Sequence, residues 1–291
     1  MVATLKGKTI FMSGGSRGIG LAIALRAAAD GANVVVAAKT DQPHPKLLGT
    51  IHTAVEAIEK AGGQGLAVFC DIREEAQVEA AVAKAVARFG GIDICVNNAS
   101  AIQLTDTLST EMKRYDLMNG VNARGTFLVS KCCIPHLTKA ANPHILTLSP
   151  PLDMQAKWFA GHIAYSMAKF GMSMVTLGLA EELKSDGIAV NSLWPLTVID
   201  TAAVRNVLGG APLAAISRSA DIVADAAHAI LTKPSRDYTG RFLIDELVLM
   251  DEGVTDFSPY GPDNGQPMAD FFVPDTAFEQ ALTKVQPQPR R

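Results

Sequence analysis

The sequence predicts a doubly wound α/β fold, a parallel sheet of seven strands with helices on both faces. Three observations predict it. Short β-rich runs alternate with helix-spaced stretches from residue 8 to residue 245. One run, "NVVVAA" (33–38), is continuously apolar, as a strand buried on both faces must be. A glycine-rich turn, "SGGSRGIG" (13–20), joins the first strand to the first helix.

The elements follow in order. "KTIFMS" (8–13) is short and apolar, and "IGLAIALRAAAD" (19–30) carries Ala and Leu at helical spacing. After the Val run, helical spacing extends from about Leu47 to Ala61, followed by "GLAVFC" (65–70) and the helix "EEAQVEAAVAKAVARFG" (74–90). "IDICVN" (92–97), "HILTLS" (144–149), "GIAVNSLW" (187–194) and "GRFLID" (240–245) complete seven strands. Long apolar helices are expected at about 111–136 and 162–184. Strands separated by helices pair in parallel, with the helices covering both faces. A single domain over 1–250 is expected. Residues 251–291, rich in Pro, Gly and Asp, read as a tail wrapped on the body or on a partner subunit, or partly disordered.

The 291 residues are 48% hydrophobic, enough for a large core, and the net charge is −3. That balance predicts neither nucleic acid nor an anionic membrane as the main partner. The N-terminus lacks a signal pattern, and no apolar run approaches the roughly 20 residues that cross a bilayer, so no membrane span is expected and a cytoplasmic location is. Four cysteines without a C-x-x-C fit a reducing compartment, and six histidines without ligand spacing predict no metal site.

Two motifs carry chemistry. In the glycine turn, Gly14, Gly18 and Gly20 let backbone N–H groups approach a pyrophosphate at a helix N-terminus. In "AYSMAK" (164–169), Tyr165 and Lys169 stand four residues apart on one helical face. A free phenol has a pKa of about 10, too high for proton transfer near neutrality. An ammonium about 5 Å away favours the phenolate by roughly 3 kcal/mol, about two pKa units. The plain alternative is a tyrosine packed in a buried apolar helix.

The glycine turn, spaced G-x-x-x-G-x-G, resembles that of the short-chain dehydrogenases/reductases. Further motifs follow in that family's order: "CDI" (70–72), "NNAS" (97–100), "VNARGTF" (121–127), "YSMAK" (165–169) and "NSLWPLTVIDT" (191–201), the last with Leu196 for Gly and Thr201 displaced by one. "AAKTDQPHPKLLGTI", "LTLSPPLDM" and "NSLWPLT" resemble the hydroxysteroid dehydrogenase-like group, some of whose members carry a lipid-carrier domain. The chain stops before such a domain, and none is expected.

The resemblance covers about residues 7–250 and implies a Rossmann-type fold and a nicotinamide cofactor. It implies cofactor contacts at Gly14, Ser16, Arg17, Gly18, Ile19, Gly20, Asp71, Ile72, Asn98, Ala99, Pro195, Thr197 and Val198. It also implies that Lys169 holds the nicotinamide ribose, that Asn122 positions a relay water, and that Tyr165 is the acid and base. At the end of the second strand, an acidic residue would select NAD. Ala38 stands there, followed by Lys39, with Arg17 nearby, so NADP(H) is expected and NAD(H) remains possible. Lys46 could reinforce the preference, and Asp41 opposes it.

One family feature is displaced. A Ser hydroxyl at the second position of an S-S pair normally bonds the substrate oxygen. Here Ser149 holds the first position and Pro150 the second. Ser149 could reach the site on a shifted backbone, Asp153 or a water could substitute, or the donor could be lost, leaving a slow enzyme or a cofactor-binding protein. Met154, Trp158, Phe159, Trp194 and Leu196 are expected to form an apolar substrate wall for a steroid, retinoid or fatty-acyl carbonyl or alcohol. Reduction of an enoyl C=C bond is a further alternative. The apolar helices predict a homodimer or homotetramer.

Overall fold

The structure, a computed structural model, describes residues 4–43, 48–262 and 267–285. Lys46 and the final "QPQPRR" lie outside the described residues. Among the described residues, seven strands form one parallel sheet in the order β3-β2-β1-β4-β5-β6-β7. They are β1 (Thr9–Ser13), β2 (Asn33–Ala38), β3 (Gln64–Phe69), β4 (Ile94–Asn97), β5 (His144–Thr147), β6 (Ala189–Trp194) and β7 (Phe242–Ile244). The order reverses between β1 and β4, which opens a crevice at the carboxyl ends of those strands.

Strand alternation sorts the core into two layers. Ile10 and Met12 of β1, with Val34 and Val36 of β2, pack beneath α1 (Gly18–Ala29), α2 (Ile51–Lys60) and, farther along the chain, Asp221–Leu231. Phe11, Val35 and Ala37 face the other way, against α3 (Glu75–Phe89) and the helices at 125–137 and 163–182. Complete burial of the Val run explains why it shows no polar alternation.

α2 starts four residues later than its spacing predicts. Thr50 caps it reciprocally with Thr53, with Thr53 N–H donating to Thr50 Oγ1 at 3.2 Å and Thr50 N–H to Thr53 Oγ1 at 2.8 Å. The helix expected at 111–136 is two helices, α4 (Met112–Asn119) and α5 (Gly125–Leu137), joined by a π-helical turn over Gly120–Arg124. Such turns insert one residue into the helical ladder and rotate the side chains beyond it.

α6 (Ile163–Glu182) corrects one expectation, because it is long and apolar enough to cross a bilayer by length and composition. Most of it is buried against the sheet and neighbouring helices, so it serves as a core helix. After β6 come α7 (Gly210–Ala215), α8 (Asp221–Leu231) and α9 (Asp245–Asp251). The C-terminal segment then returns across the body and ends in α10 (Asp275–Val285), contributing Phe272, Val273, Ala277 and Ala281 to a third apolar cluster around Tyr165.

Candidate active site

The glycine turn is built for close approach. Gly14 has φ +72°, and a Cβ there would lie 2.7 Å from Ala99 Cα. Asn98 Nδ2 donates to Gly14 O at 2.8 Å, so the loops after β1 and β4 are tied together. Ser16 is buried and Ile19 packs on the core. Thr201 lies over Gly18. Arg17 caps α1 without a side-chain bond, and no acidic side chain stands in the first turn. The first N–H groups of α1 are therefore free of side-chain caps, which suits an anion. The Arg17 guanidinium instead braces the approach to α2, with Nε on Leu48 O at 3.0 Å and NH2 on Gly49 O at 2.7 Å.

At the ends of β2 and β3, Lys39 meets Asp71 at 2.9 Å. Arg73, which sequence reasoning did not single out, binds the same carboxylate through Nε and NH2. Arg73 first, and Lys39 after it, hold the Asp71 carboxyl well below the usual carboxylate range. The expected cofactor cation Lys39 and the implied cofactor contact Asp71 are thus one cluster, placed by the parallel pairing of Ala38 with Phe69. Ile72 is buried against Gly125, where a Cβ would lie 2.6 Å from Ile72 Cδ1.

Tyr165 and Lys169 lie buried on α6 as the i, i+4 spacing requires. Lys169 Nζ donates to Leu148 O at 2.7 Å, contacts Met172 Sδ at 3.4 Å and lies 4.7 Å from the Trp194 ring centroid. Burial pushes the ammonium down to about 7. It also pushes the Tyr165 phenol above its ordinary value, and the charge of Asp270 adds to that rise. The lowering expected of Tyr165 is therefore absent, because burial and the Asp270 charge both disfavour the phenolate.

Asn122 lies in the π-helical turn and is fully buried. Its amide clamps Ala101, accepting from Ala101 N–H at 2.8 Å and donating to Ala101 O at 3.1 Å. It holds the loop after β4 in place. Ser149 is equally buried, and its Oγ has no hydrogen-bond partner among the described residues. It bonds neither Tyr165 nor Lys169. Asp153 is engaged elsewhere, accepting from Trp158 Nε1 at 2.8 Å and Gln155 Nε2 at 2.9 Å. Pro150 O accepts from Ser173 Oγ at 2.6 Å, which fixes the segment after β5 to α6.

The expected open apolar wall is a packed aromatic cluster. Phe272, fully buried, stands within 5.3–6.1 Å of the rings of Trp158, His162, Tyr165, Phe170, Trp194 and Phe271. Phe159 stacks on Phe170 at 5.1 Å, and Leu196 is buried, while Met154 is more than half exposed. Sequence reasoning treated Phe272 as tail because the signal that places it, pairing with residues 196–198, is long-range. Val198 N–H donates to Met268 O at 2.9 Å, and Asp270 N–H donates to Leu196 O at 3.0 Å. Pro195 is buried beside them, and Thr197 Oγ1 is buried without a partner among the described residues. Asp245, another residue that the sequence did not flag, accepts from Leu196 N–H at 2.8 Å, and burial pushes its carboxyl up to about 8.

An uncapped helix start, glycines in close approach and an orphaned buried hydroxyl on Thr197 fit a dinucleotide lying along the crevice. The family profile described as short chain dehydrogenase matches residues 8–209. The chain belongs to the short-chain dehydrogenase family.

Within that family, it is similar to the human Hydroxysteroid dehydrogenase-like protein 2, with 55% identity over 281 residues, 96% of this chain and 66% of that protein. The chain thus spans just under two thirds of the length of that relative. The crystal structure of a short chain dehydrogenase from Mycobacterium thermoresistibile matches with a TM-score of 0.88 at 56% identity, covering 93% of this chain and 96% of that one. Two remoter structures share the fold. One is a metagenomic short-chain oxidoreductase in complex with NADP (TM-score 0.68, 23% identity, 82% of this chain and 97% of that one). The other is a Mycobacterium paratuberculosis short chain dehydrogenase bound to NAD (TM-score 0.69, 21% identity, 83% and 97%).

Proposed function

We propose that this short-chain dehydrogenase interconverts a lipophilic carbonyl compound and its alcohol with NADP(H), with Tyr165 giving and taking the proton. The observation that carries the reading is the buried Tyr165–Lys169 pair, set between the glycine turn and an aromatic cluster. When bound, the nicotinamide supplies or accepts the hydride. The chain's residues do the rest. Tyr165 O–H donates to the substrate oxygen in reduction, and its phenolate accepts in oxidation. In the free site burial keeps the Tyr165 phenol protonated, so it holds the proton that reduction consumes. Lys169 donates to Leu148 O and to Met172 Sδ, which leaves its third donor for the ribose or the phenol. Asn122 fixes the Ala101 loop, and the aromatic cluster excludes water and favours an apolar substrate.

The preference for NADP(H) is supported by the cations. No carboxylate stands at Ala38, and Lys39 and Arg73 together outweigh Asp71 by one positive charge. Assembly is proposed as well. Ile163, Met167, Met174 and Leu177 of α6 and Phe127 of α5 are exposed, and a second copy of this chain is the occupant proposed for that face, to be checked by light scattering.

Oxidation of NADPH across a panel of ketones, aldehydes and enones tests the activity, and product identity separates carbonyl from C=C reduction. The unpartnered Ser149 Oγ and Pro150 favour a second reading, a cofactor-binding protein without turnover. Tight NADPH binding with no oxidation on the whole panel would select it.

A further inference from the structure

The turn that follows β6 runs along the crevice. Leu196 packs in the aromatic cluster around Tyr165, and Thr201 lies over Gly18 of the glycine turn. Between them, Thr197 Oγ1 is buried with no partner among the described residues. Connecting segments are ordinarily mobile, and ordering one costs conformational entropy. This one is gripped along both edges. On one edge is the bridge of Thr197 to Ala269, flanked by the Val198–Met268 and Asp270–Leu196 hydrogen bonds. On the other, Arg218 pairs in parallel with Ile199. Arg218 N–H donates to Val198 O at 2.9 Å, and Asp200 N–H donates to Arg218 O at 2.8 Å.

Arg218 lies beyond the residues that the family profile matches. Its side chain is 12% exposed and engages three acceptors. Nε donates to Glu246 Oε1 at 2.8 Å, and NH1 donates to Gly261 O at 2.7 Å and to Phe257 O at 3.2 Å. Glu246 follows Asp245 at the start of α9, and Asp245 accepts from Leu196 N–H at 2.8 Å. Two adjacent carboxylates thus hold the two ends of the turn, Asp245 directly and Glu246 through Arg218. A guanidinium suits this task, because several donors in a rigid plane fix its direction.

We propose that Arg218, anchored by Glu246, is a positioning residue for the cofactor, holding residues 196–200 in shape for the nicotinamide half of the dinucleotide. Its guanidinium is spent on Glu246 and the two carbonyls, so it acts through the backbone of Val198 and Asp200. The proposal rests on the cofactor contacts read above at Pro195, Thr197 and Val198, and not on the proton chemistry of Tyr165. A turn held in its bound shape strengthens binding, because the cost of ordering it is not incurred when the ligand arrives. The adenosine half depends on other elements, the glycine turn and the ends of β2 and β3.

Calorimetry on the full chain tests this with two ligands. One is NADPH, and the other is adenosine 2′,5′-bisphosphate, which keeps the adenosine end and lacks the nicotinamide. Arg218→Gln/Glu246→Gln removes the ion pair without stranding a buried charge, and Arg218→Lys is a second variant that keeps the charge and loses the planar fork. Both are expected to weaken NADPH binding by about tenfold and to leave the bisphosphate within about twofold of the parent. Where NADH is the tighter cofactor, NADH and adenosine 5′-monophosphate take the place of this pair. A merely structural role would weaken both ligands alike. Equal losses for the two ligands, or an unchanged dinucleotide affinity in both variants, would overturn the proposal alone. A parent that binds the dinucleotide no more tightly than its adenosine fragment would overturn the reading of residues 195–198 as a nicotinamide site, and this proposal with it.

Discussion

Phe272→Ala tests whether the C-terminal segment is part of the site. The ring is fully buried and has six aromatic neighbours, so its loss removes a large apolar contact and leaves a cavity. Phe→Ala at such a position costs about 3–5 kcal/mol. At roughly 2–4 °C per kcal/mol, Tm should fall by about 6–20 °C. The backbone adds a second handle, because Phe272 has φ +66°, which costs an L-residue about 1–2 kcal/mol. Elsewhere glycine is worse than alanine by about 0.5–1 kcal/mol. Here Phe272→Gly should equal or exceed Phe272→Ala in stability. Thermal unfolding followed by circular dichroism reads the first effect, and limited proteolysis within residues 251–285 reads release of the segment. A Phe272→Ala protein that melts within about 2 °C of the parent and resists the protease equally well would refute this placement.

Three further outcomes are expected. Lys39→Ala should weaken NADPH binding by about tenfold and leave NADH within about twofold, read by calorimetry, since one phosphate contact is lost. Asn122→Ala removes two buried hydrogen bonds to Ala101 and should cost about 2–5 kcal/mol in urea unfolding. Asp245→Asn should change the pH dependence of stability. The Asp245 carboxyl is raised to about 8 from an ordinary value near 4, so the folded state binds the proton more tightly and stability falls as pH rises between those values. The variant should therefore gain Tm relative to the parent between pH 5 and pH 9, and a constant difference would contradict this.

The sheet was legible because its strands are Val- and Ile-rich runs set between helical repeats, and local pattern decides such elements. The start of α2 was not, because the Thr50–Thr53 cap competes with helical spacing that continues upstream. The π-helical turn that carries Asn122 leaves no mark in a pattern of 3.6-residue period. Within the site, the glycine turn and the Tyr165–Lys169 pair were readable as local motifs. Arg73 lay two residues from Asp71 and could have been found there by asking which cation a buried carboxylate meets. Asp270 and Phe272 could not, since their Pro- and Gly-rich surroundings read as tail, and only the bridge to Thr197 places them. Ser149 shows the opposite limit: its residue type matched the chemistry, yet the chain buries its hydroxyl without a partner.

Proton transfer by Tyr165 is the centre of the account, and Tyr165→Phe tests it most directly. Binding of NADPH to this variant should stay within about twofold of the parent, while steady-state reduction of the best lipophilic ketone falls by at least about 10²-fold. Equal turnover by parent and variant, with the fold and cofactor affinity intact, would contradict the account.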